Sequence, residues 1–233
     1  MSTWEETARS KRRACLEKIP TDWKIPDHVL DVLKLPGESN RNNIFELGLV
    51  RKSGILTERE LHITEDCDVS QLLKALFKGD FTAVEVTRAF SKRAAIAQQL
   101  VCIPYVDTGD GLAHRHSLTH IIFQVNCLTE TYFEEAMDRA EALDRLKASG
   151  QLAGPLHGLP ISLKDSFQIR GSQATLGIVS FLNRFSERNA ALVDILISLG
   201  AVVYVKTNVP QTLAVSQTQL RPVCHHHNFD PFL

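Results

Sequence analysis

The sequence lacks long hydrophobic runs, an excess of either charge, and closely spaced cysteines. No stretch approaches the roughly 20 apolar residues of a membrane-spanning helix, and the N-terminus lacks the apolar run of a secretory signal. A net charge of −1 gives no reason to expect binding to nucleic acid or an anionic membrane. The five cysteines are odd in number and widely separated, which favours free thiols over a disulfide framework. We therefore expect a cytoplasmic protein without nucleic-acid or membrane partners.

Cofactor-binding motifs are also missing. The glycines form no phosphate-binding fingerprint, so nucleotide binding has no support. Histidines cluster twice, as His114, His116 and His120 and as His225–His227, but adjacent histidines in irregular segments converge poorly on one ion. No cysteine or carboxylate stands at zinc-like spacing from them. We expect no metal site.

Helical periodicity dominates the first 150 residues. Residues 4–18 are typical of one helix, and residues 20–64 of an extended wrapping segment with short helices, interrupted by proline and glycine. Further helices are expected around VSQLLKALFKG, with Thr64 or Asp66 as cap, and over TAVEVTRAFSKRAAIAQQ, capped by Thr82. A third covers NCLTETYFEEAMDRAEALDRLKASG and ends at Gly150.

The pattern changes to strand, helix, strand after residue 154. LPISL predicts a short strand, residues 187–199 an amphipathic helix, and AVVYVK a buried parallel strand. These elements form a βαβ unit, so the predicted fold class is α/β with a helical N-terminal region. Active groups in such sheets lie at the carboxyl ends of strands, where Lys164 and Lys206 fall.

Lys164 follows the apolar run Ile161-Ser162-Leu163 in the string GLPISLKDS. Desolvation beside such a run favours a neutral amine, which can act as general base for a serine nucleophile. A structural interpretation, in which Lys164 pairs with a carboxylate near the sheet edge, is also open and is favoured on spacing alone. The tripeptide LKD does not decide between them.

The longer strings GPLHGLPISLKDSFQIRG and ALVDILISLGAVVYVKTNVPQTLA closely resemble the amidase signature family, and within it the fungal acetamidase-like enzymes. The resemblance covers residues 1–100 and 125–214. It implies a mixed sheet flanked by helices, hydrolysis of a small carboxamide to acid and ammonia, no cofactor, and a possible homodimer in the complete enzyme. The family's catalytic device is a lysine, a bridging serine with a cis peptide, and a nucleophilic serine. Its lysine corresponds to Lys164.

The sequence departs from the family in its serines. The family's two catalytic serines lie in a glycine- and serine-rich loop, which also supplies N–H groups to the oxyanion. Such a loop should follow KTNVPQT, and the 233 residues do not contain it. None of the serines in the second half has a comparable setting: Ser162, Ser166, Ser172, Ser180, Ser186, Ser198 and Ser216. We therefore expect a truncated chain that is inactive alone, since a base without its nucleophile performs no acyl transfer.

Two segments do not resemble the family, residues 101–124 and 215–233. Both segments can be introns that were retained and translated. In the second segment, Val215-Ser216 can be encoded by the 5′ splice signal GTAAGT. The first segment has 24 codons, so its retention keeps the reading frame. The predicted organisation is a wrapping segment over 1–80, the start of the amidase domain over 81–214 with 101–124 as an insertion, and an atypical tail over 215–233. Two functions stay open, an amidase by descent and a non-catalytic fragment with a binding or regulatory role.

Overall fold

The computed structural model describes residues 4–31, 48–99 and 127–209, together with Leu213. Eight α-helices are found in these ranges, with one-turn 3-10 helices at Thr21–Trp23 and Val179–Phe181. In chain order the helices are α1 Trp4–Glu17, α2 Asp27–Asp31, α3 Leu49–Lys52, α4 Glu58–Glu65, α5 Val69–Lys78, α6 Ala83–Gln99, α7 Phe133–Ala148 and α8 Ala191–Ser198. The strands are β1 Leu128–Thr131, β2 Pro160–Lys164 and β3 Val202–Thr207.

The three strands form a mixed sheet in the order β1-β3-β2. β2 and β3 are parallel and α8 lies between them in sequence, so the predicted βαβ unit is confirmed. β1 pairs antiparallel with β3 on its other side. Its residues had been assigned to the start of the third helix, which was wrong: the chain is extended over Leu128–Thr131 and helical only from Phe133.

The start of α5 also differs from the prediction. Thr64 lies inside α4, and the cap of α5 is Asp68 rather than Asp66. Asp68 accepts a hydrogen bond from the Gln71 N–H, and the Gln71 side chain accepts one from the Asp68 N–H. This reciprocal capping box satisfies two N–H groups that the helix itself leaves unpaired.

The main core lies where α6 and α7 cover the sheet. Val86 and Ala89 of α6, Ala140 of α7 and Val202 of β3 are fully buried in one apolar cluster. Fully burying a valine stabilises a fold by about 1.5–3 kcal/mol. Since these side chains come from three elements, their burial holds β3 against the helix pair and sets the position of its carboxyl end.

Several predictions lie outside the described residues. The proposed insertion 101–124, the tail 215–233 and both histidine clusters fall there, so the division into segments stays a prediction. Within residues 4–31, 48–99 and 127–209, no helix is long and apolar enough to cross a bilayer.

Candidate active site

Lys164 is the last residue of β2 and is exposed to solvent. Its Cα lies opposite that of Thr207 on β3, and the following Asp165 N–H donates to the Thr207 carbonyl at 2.8 Å. A turn then begins, in which the Phe167 N–H donates to the Lys164 carbonyl at 3.0 Å. The backbone of Lys164 is therefore fixed on both sides while its amine faces water. Among the described residues, that amine has no hydrogen bond or ion pair, so the pairing with a carboxylate considered above is not observed.

Among the described residues, Lys206 is the lysine that the fold buries completely. Its Nζ donates to the Gln173 carbonyl and lies 3.9 Å from Asp165 Oδ1. Burial lowers the pKa of Lys206, and the charges of Asp165 and Glu130 partly offset that effect. The desolvation expected beside an apolar strand thus acts on Lys206, at the end of β3.

A bulge explains why Lys206 turns inward. Opposite the step from Ile161 to Ser162, the pairing of β3 advances from Val203 to Val205 and skips Tyr204. An extra residue in one strand shifts the alternation of its side chains between the two faces of the sheet. Val205 and Lys206 are consequently both buried.

Asp165 is the buried acceptor at the centre of this region. Its Oδ2 accepts three hydrogen bonds, from the Thr175 N–H at 2.8 Å, the Thr175 hydroxyl at 2.9 Å and the Leu176 N–H at 2.8 Å. Leu176 has a φ of 52°, in the left-handed region that non-glycine residues seldom adopt. Asp165 therefore holds the 175–176 turn against the end of β2, directly after Lys164.

The glycine-rich turn before β2 has a packing explanation. A Cβ on Gly154 would lie 2.7 Å from the Leu199 carbonyl oxygen, and one on Gly200 would lie 2.8 Å from the Cα of His157. These glycines let the 154–158 turn lie against the end of α8, where the Leu156 N–H donates to the Leu199 carbonyl at 2.9 Å. The motif GPLHGLP thus fixes the start of β2, and through it the position of Lys164.

The serines near Lys164 have structural settings. Ser162 is exposed on β2, and Ser166 is partly buried in the turn that follows. Ser172 and Ser198 donate their hydroxyls to the carbonyls of Ile169 and Ile195, three residues earlier in each case. In the described part of the chain, no serine hydroxyl is hydrogen-bonded to a lysine.

A cleft between described residues has a lining that does not include Lys164. It has a volume of about 490 Å³ and runs between α1, β1 and the 173–183 segment. Lys11 of α1 crosses it to Glu130 of β1 at 2.5 Å. No group of three or more ligand-type side chains suited to a metal ion occurs in the described ranges.

Comparison with known proteins identifies the architecture and then the family. Fatty acid amide hydrolase is a structural neighbour, with a TM-score of 0.68 and 29% identity over 91% of this chain and 32% of that one. The Amidase family profile matches residues 112–228. Acetamidase of Emericella nidulans is 39% identical over 93% of this chain, and acetamidase of Aspergillus oryzae is 34% identical over 93%. The chain belongs to the amidase family, and within it resembles the fungal acetamidases.

The matches also show what share of a relative's length the chain covers. It spans about a third of the length of each of these two acetamidases. The profile match begins inside the segment 101–124 and ends inside 215–233. The interpretation of those two segments as foreign to the family therefore stays a hypothesis.

Sequence reasoning missed the roles of Asp165 and Lys206. Asp165 had appeared only as part of the LKD tripeptide, and Lys206 only as a second strand-end lysine. A signal for their pairing was present, because charged residues that follow two apolar strands of one βαβ unit meet at the same sheet edge.

Proposed function

We propose that this chain is the N-terminal part of a hydrolase that converts a small linear carboxamide and water into a carboxylate and ammonia. The observation that carries the proposal is Lys164, an exposed amine on a rigid backbone at the carboxyl end of β2. Its position in GLPISLKDS supports the role of proton-transfer base. The acetamidase names of the similar fungal proteins support a small amide as substrate.

The proposed chemistry needs two serines besides Lys164. The neutral lysine amine takes a proton from a bridging serine, which takes one from the nucleophilic serine as its oxygen attacks the amide carbon. The proton returns through the same relay to the leaving nitrogen, the C–N bond breaks, and ammonia departs. Water then attacks the acyl-serine in the same way and releases the acid. No step requires a metal or an organic cofactor.

This polypeptide alone is proposed to be inactive. The 233 residues contain no glycine- and serine-rich loop, so they provide neither the relay serine nor the nucleophile in the expected setting. The Lys164 amine also faces water rather than the interior of a closed site. A loop that covers it would supply both the missing hydroxyls and the dry surroundings.

The organisation proposed for the chain follows the sequence analysis. Residues 1–80 form the wrapping segment and 81–214 the start of the amidase domain, with 101–124 and 215–233 as translated introns. We further propose a cytoplasmic enzyme, homodimeric when complete. Sequencing the transcript tests the intron hypothesis, because splicing that removes 101–124 would support it and uninterrupted exon coverage would contradict it.

The experiment compares the chain with a fusion enzyme. Residues 1–214 are joined to the part of the Emericella nidulans acetamidase that follows the matched region, with and without residues 101–124. We expect ammonia and acetate in equal amounts from acetamide with the fusion enzyme and no release with the chain alone.

Lys164→Ala should abolish the activity of the fusion enzyme, whereas Lys74→Ala, an exposed lysine on α5, should leave it unchanged. Turnover by the chain alone would contradict the proposed inactivity. An active fusion enzyme that keeps full activity without Lys164 would contradict its assignment as base. A binding or regulatory fragment is the alternative if no fusion enzyme hydrolyses acetamide or an aryl amide.

A further inference from the structure

Asp165 and Lys206 flank the backbone that carries Lys164. Lys164 lies opposite Thr207 in the parallel ladder, and Leu163 lies opposite Lys206. Asp165 follows Lys164 directly and donates its N–H to Thr207. The two buried charged residues are therefore each one position away from the pair that holds Lys164 in the sheet.

The charges of Asp165 and Lys206 form only a loose ion pair. Asp165 Oδ1 has no hydrogen-bond partner among the described residues and lies 3.9 Å from Lys206 Nζ. Both side chains are almost wholly removed from water, with exposed fractions of 1% and 0%. A buried pair of this kind often contributes no more stability than apolar residues of similar volume. The ion pair itself therefore gives no reason to expect a large contribution to stability.

The contacts of the pair converge on the sheet end. Lys206 holds the Gln173 carbonyl, and Asp165 holds the N–H groups of Thr175 and Leu176. Gln173 also donates its N–H to Glu130 of β1 at 3.4 Å. The segment that follows β2 is thereby fastened to all three strands next to Lys164.

We propose that Asp165 and Lys206 are positioning residues, which hold the end of β2 so that the Lys164 amine is directed at the serine relay. This inference rests on the proposed function, since it assigns a purpose to the pair only if Lys164 is the base. Neither residue is proposed to contact the substrate. Their effect is on the geometry of proton transfer, where a displacement of about 1 Å can cost about a hundredfold in rate.

Conservative variants separate this role from ordinary core stability. Asp165→Asn retains one oxygen for the three hydrogen bonds but turns an NH₂ group towards the Lys206 ammonium. Lys206→Met retains the apolar stem and leaves the Asp165 carboxylate without its cation. The double variant D165N/K206M has neither the contact between NH₂ and ammonium nor the carboxylate without a cation. Lys92→Met is the matched control, because Lys92 forms a mostly buried ion pair with Glu60 at 2.8 Å on the α4–α6 contact.

The first measurement is amide hydrogen exchange on the full 233-residue chain. We expect D165N and K206M each to accelerate exchange at Asp165, Thr175 and Leu176, and the double variant to restore most of the protection. K92M should leave these three amides unchanged. Equal protection in wild type, D165N and K206M would overturn the proposal without reference to catalysis.

The second measurement is kcat for acetamide in the fusion enzyme, expressed per active site by end-point labelling with a fluorophosphonate. Each single variant should lower kcat by about ten- to a hundredfold with KM unchanged, because the base acts in the chemical step. The double variant should recover to within about threefold of wild type, as expected for a coupled pair. K92M should not alter kcat per site.

The outcomes distinguish this inference from the proposed function. If K164A abolishes activity but D165N and K206M keep their kcat per site, the pair is only structural and the inference is overturned. Losses that are additive in the double variant would also overturn it. If K164A retains activity, the assignment of Lys164 as the base is wrong and the inference falls with it. If no fusion enzyme hydrolyses an amide, the proposed function itself is wrong.

Discussion

Asp144 of α7 caps the neighbouring helix α6, and its removal should destabilise the fold substantially. The carboxylate accepts hydrogen bonds from the Ala83 N–H at 2.8 Å and the Val84 N–H at 3.0 Å. These are the first two N–H groups of α6, which have no partner within the helix. Ala83 is buried, with 1% of its surface exposed, so water cannot readily replace the carboxylate there.

The magnitude follows from these contacts. Hydrogen bonds to a charged acceptor contribute about 1.5–3 kcal/mol each, and typical caps contribute about 1 kcal/mol. Thr82 and Glu85 already form a capping box at the same helix end, which limits how far α6 can fray. We therefore expect Asp144→Ala to lower the free energy of unfolding by about 3 kcal/mol. Asp144→Asn keeps one acceptor oxygen and should cost about 2 kcal/mol.

The assay is pulse proteolysis across a urea series, performed at low protein concentration with a solubilising fusion partner. Asp138→Ala is the control, because Asp138 is an exposed carboxylate on the same helix and should change stability by less than about 0.5 kcal/mol. If the loss in Asp144→Ala is no larger than that in Asp138→Ala, the cap is not the contact that holds α6 against α7.

Three further predictions concern pH, backbone packing and solubility. Burial lowers the pKa of His157 below its usual 6.5. As the pH falls, the unfolded chain is therefore protonated at this residue before the folded chain is, and the free energy of unfolding should decrease below about pH 6.5. His157→Asn keeps an acceptor for the Ala153 N–H. It should remove the decrease in unfolding free energy that urea titrations measure between pH 7 and 5, and a variant with the wild-type pH profile would contradict this prediction. With a solubilising fusion partner, Gly200→Ala should abolish soluble expression, because its φ of 93° and the 2.8 Å approach to the His157 Cα exclude a Cβ. A soluble yield equal to that of the wild-type chain with the same partner would refute this. Among the described strands β2 lies at a sheet edge, and Leu192 and Ile195 of α8 are exposed, so the chain should aggregate. A monodisperse chain in light scattering, with no gain in solubility from L192K/I195K, would contradict this prediction.

Local patterns in the sequence were sufficient to predict most of the helices and the βαβ unit. The apolar period of α6, the glycine that ends α5, and the β-branched run of β3 each specify their element from nearby residues. β1 could not be found in this way. It has only four residues, and its pairing partner β3 lies more than 70 positions away in the sequence.

The site was predictable only in part, for a related reason. The strand-end position of Lys164 follows from the apolar run before it, and the structure places it there. The burial of Lys206 depends on the bulge at Tyr204 and on acceptors supplied by Gln173 and Asp165, which are distant in sequence. Residue spacing indicates that the two strand ends meet at one sheet edge, but it does not indicate which side chains are buried there.

The most direct test of the central claim is the rate at which a fluorophosphonate labels the nucleophile of the fusion enzyme. If Lys164 is the base that activates this serine, Lys164→Ala should reduce the second-order labelling rate constant by about 10²- to 10⁴-fold. Lys74→Ala should leave the rate constant unchanged. Labelling of a folded Lys164→Ala enzyme within about threefold of the wild-type rate would contradict the assignment of Lys164 as the base.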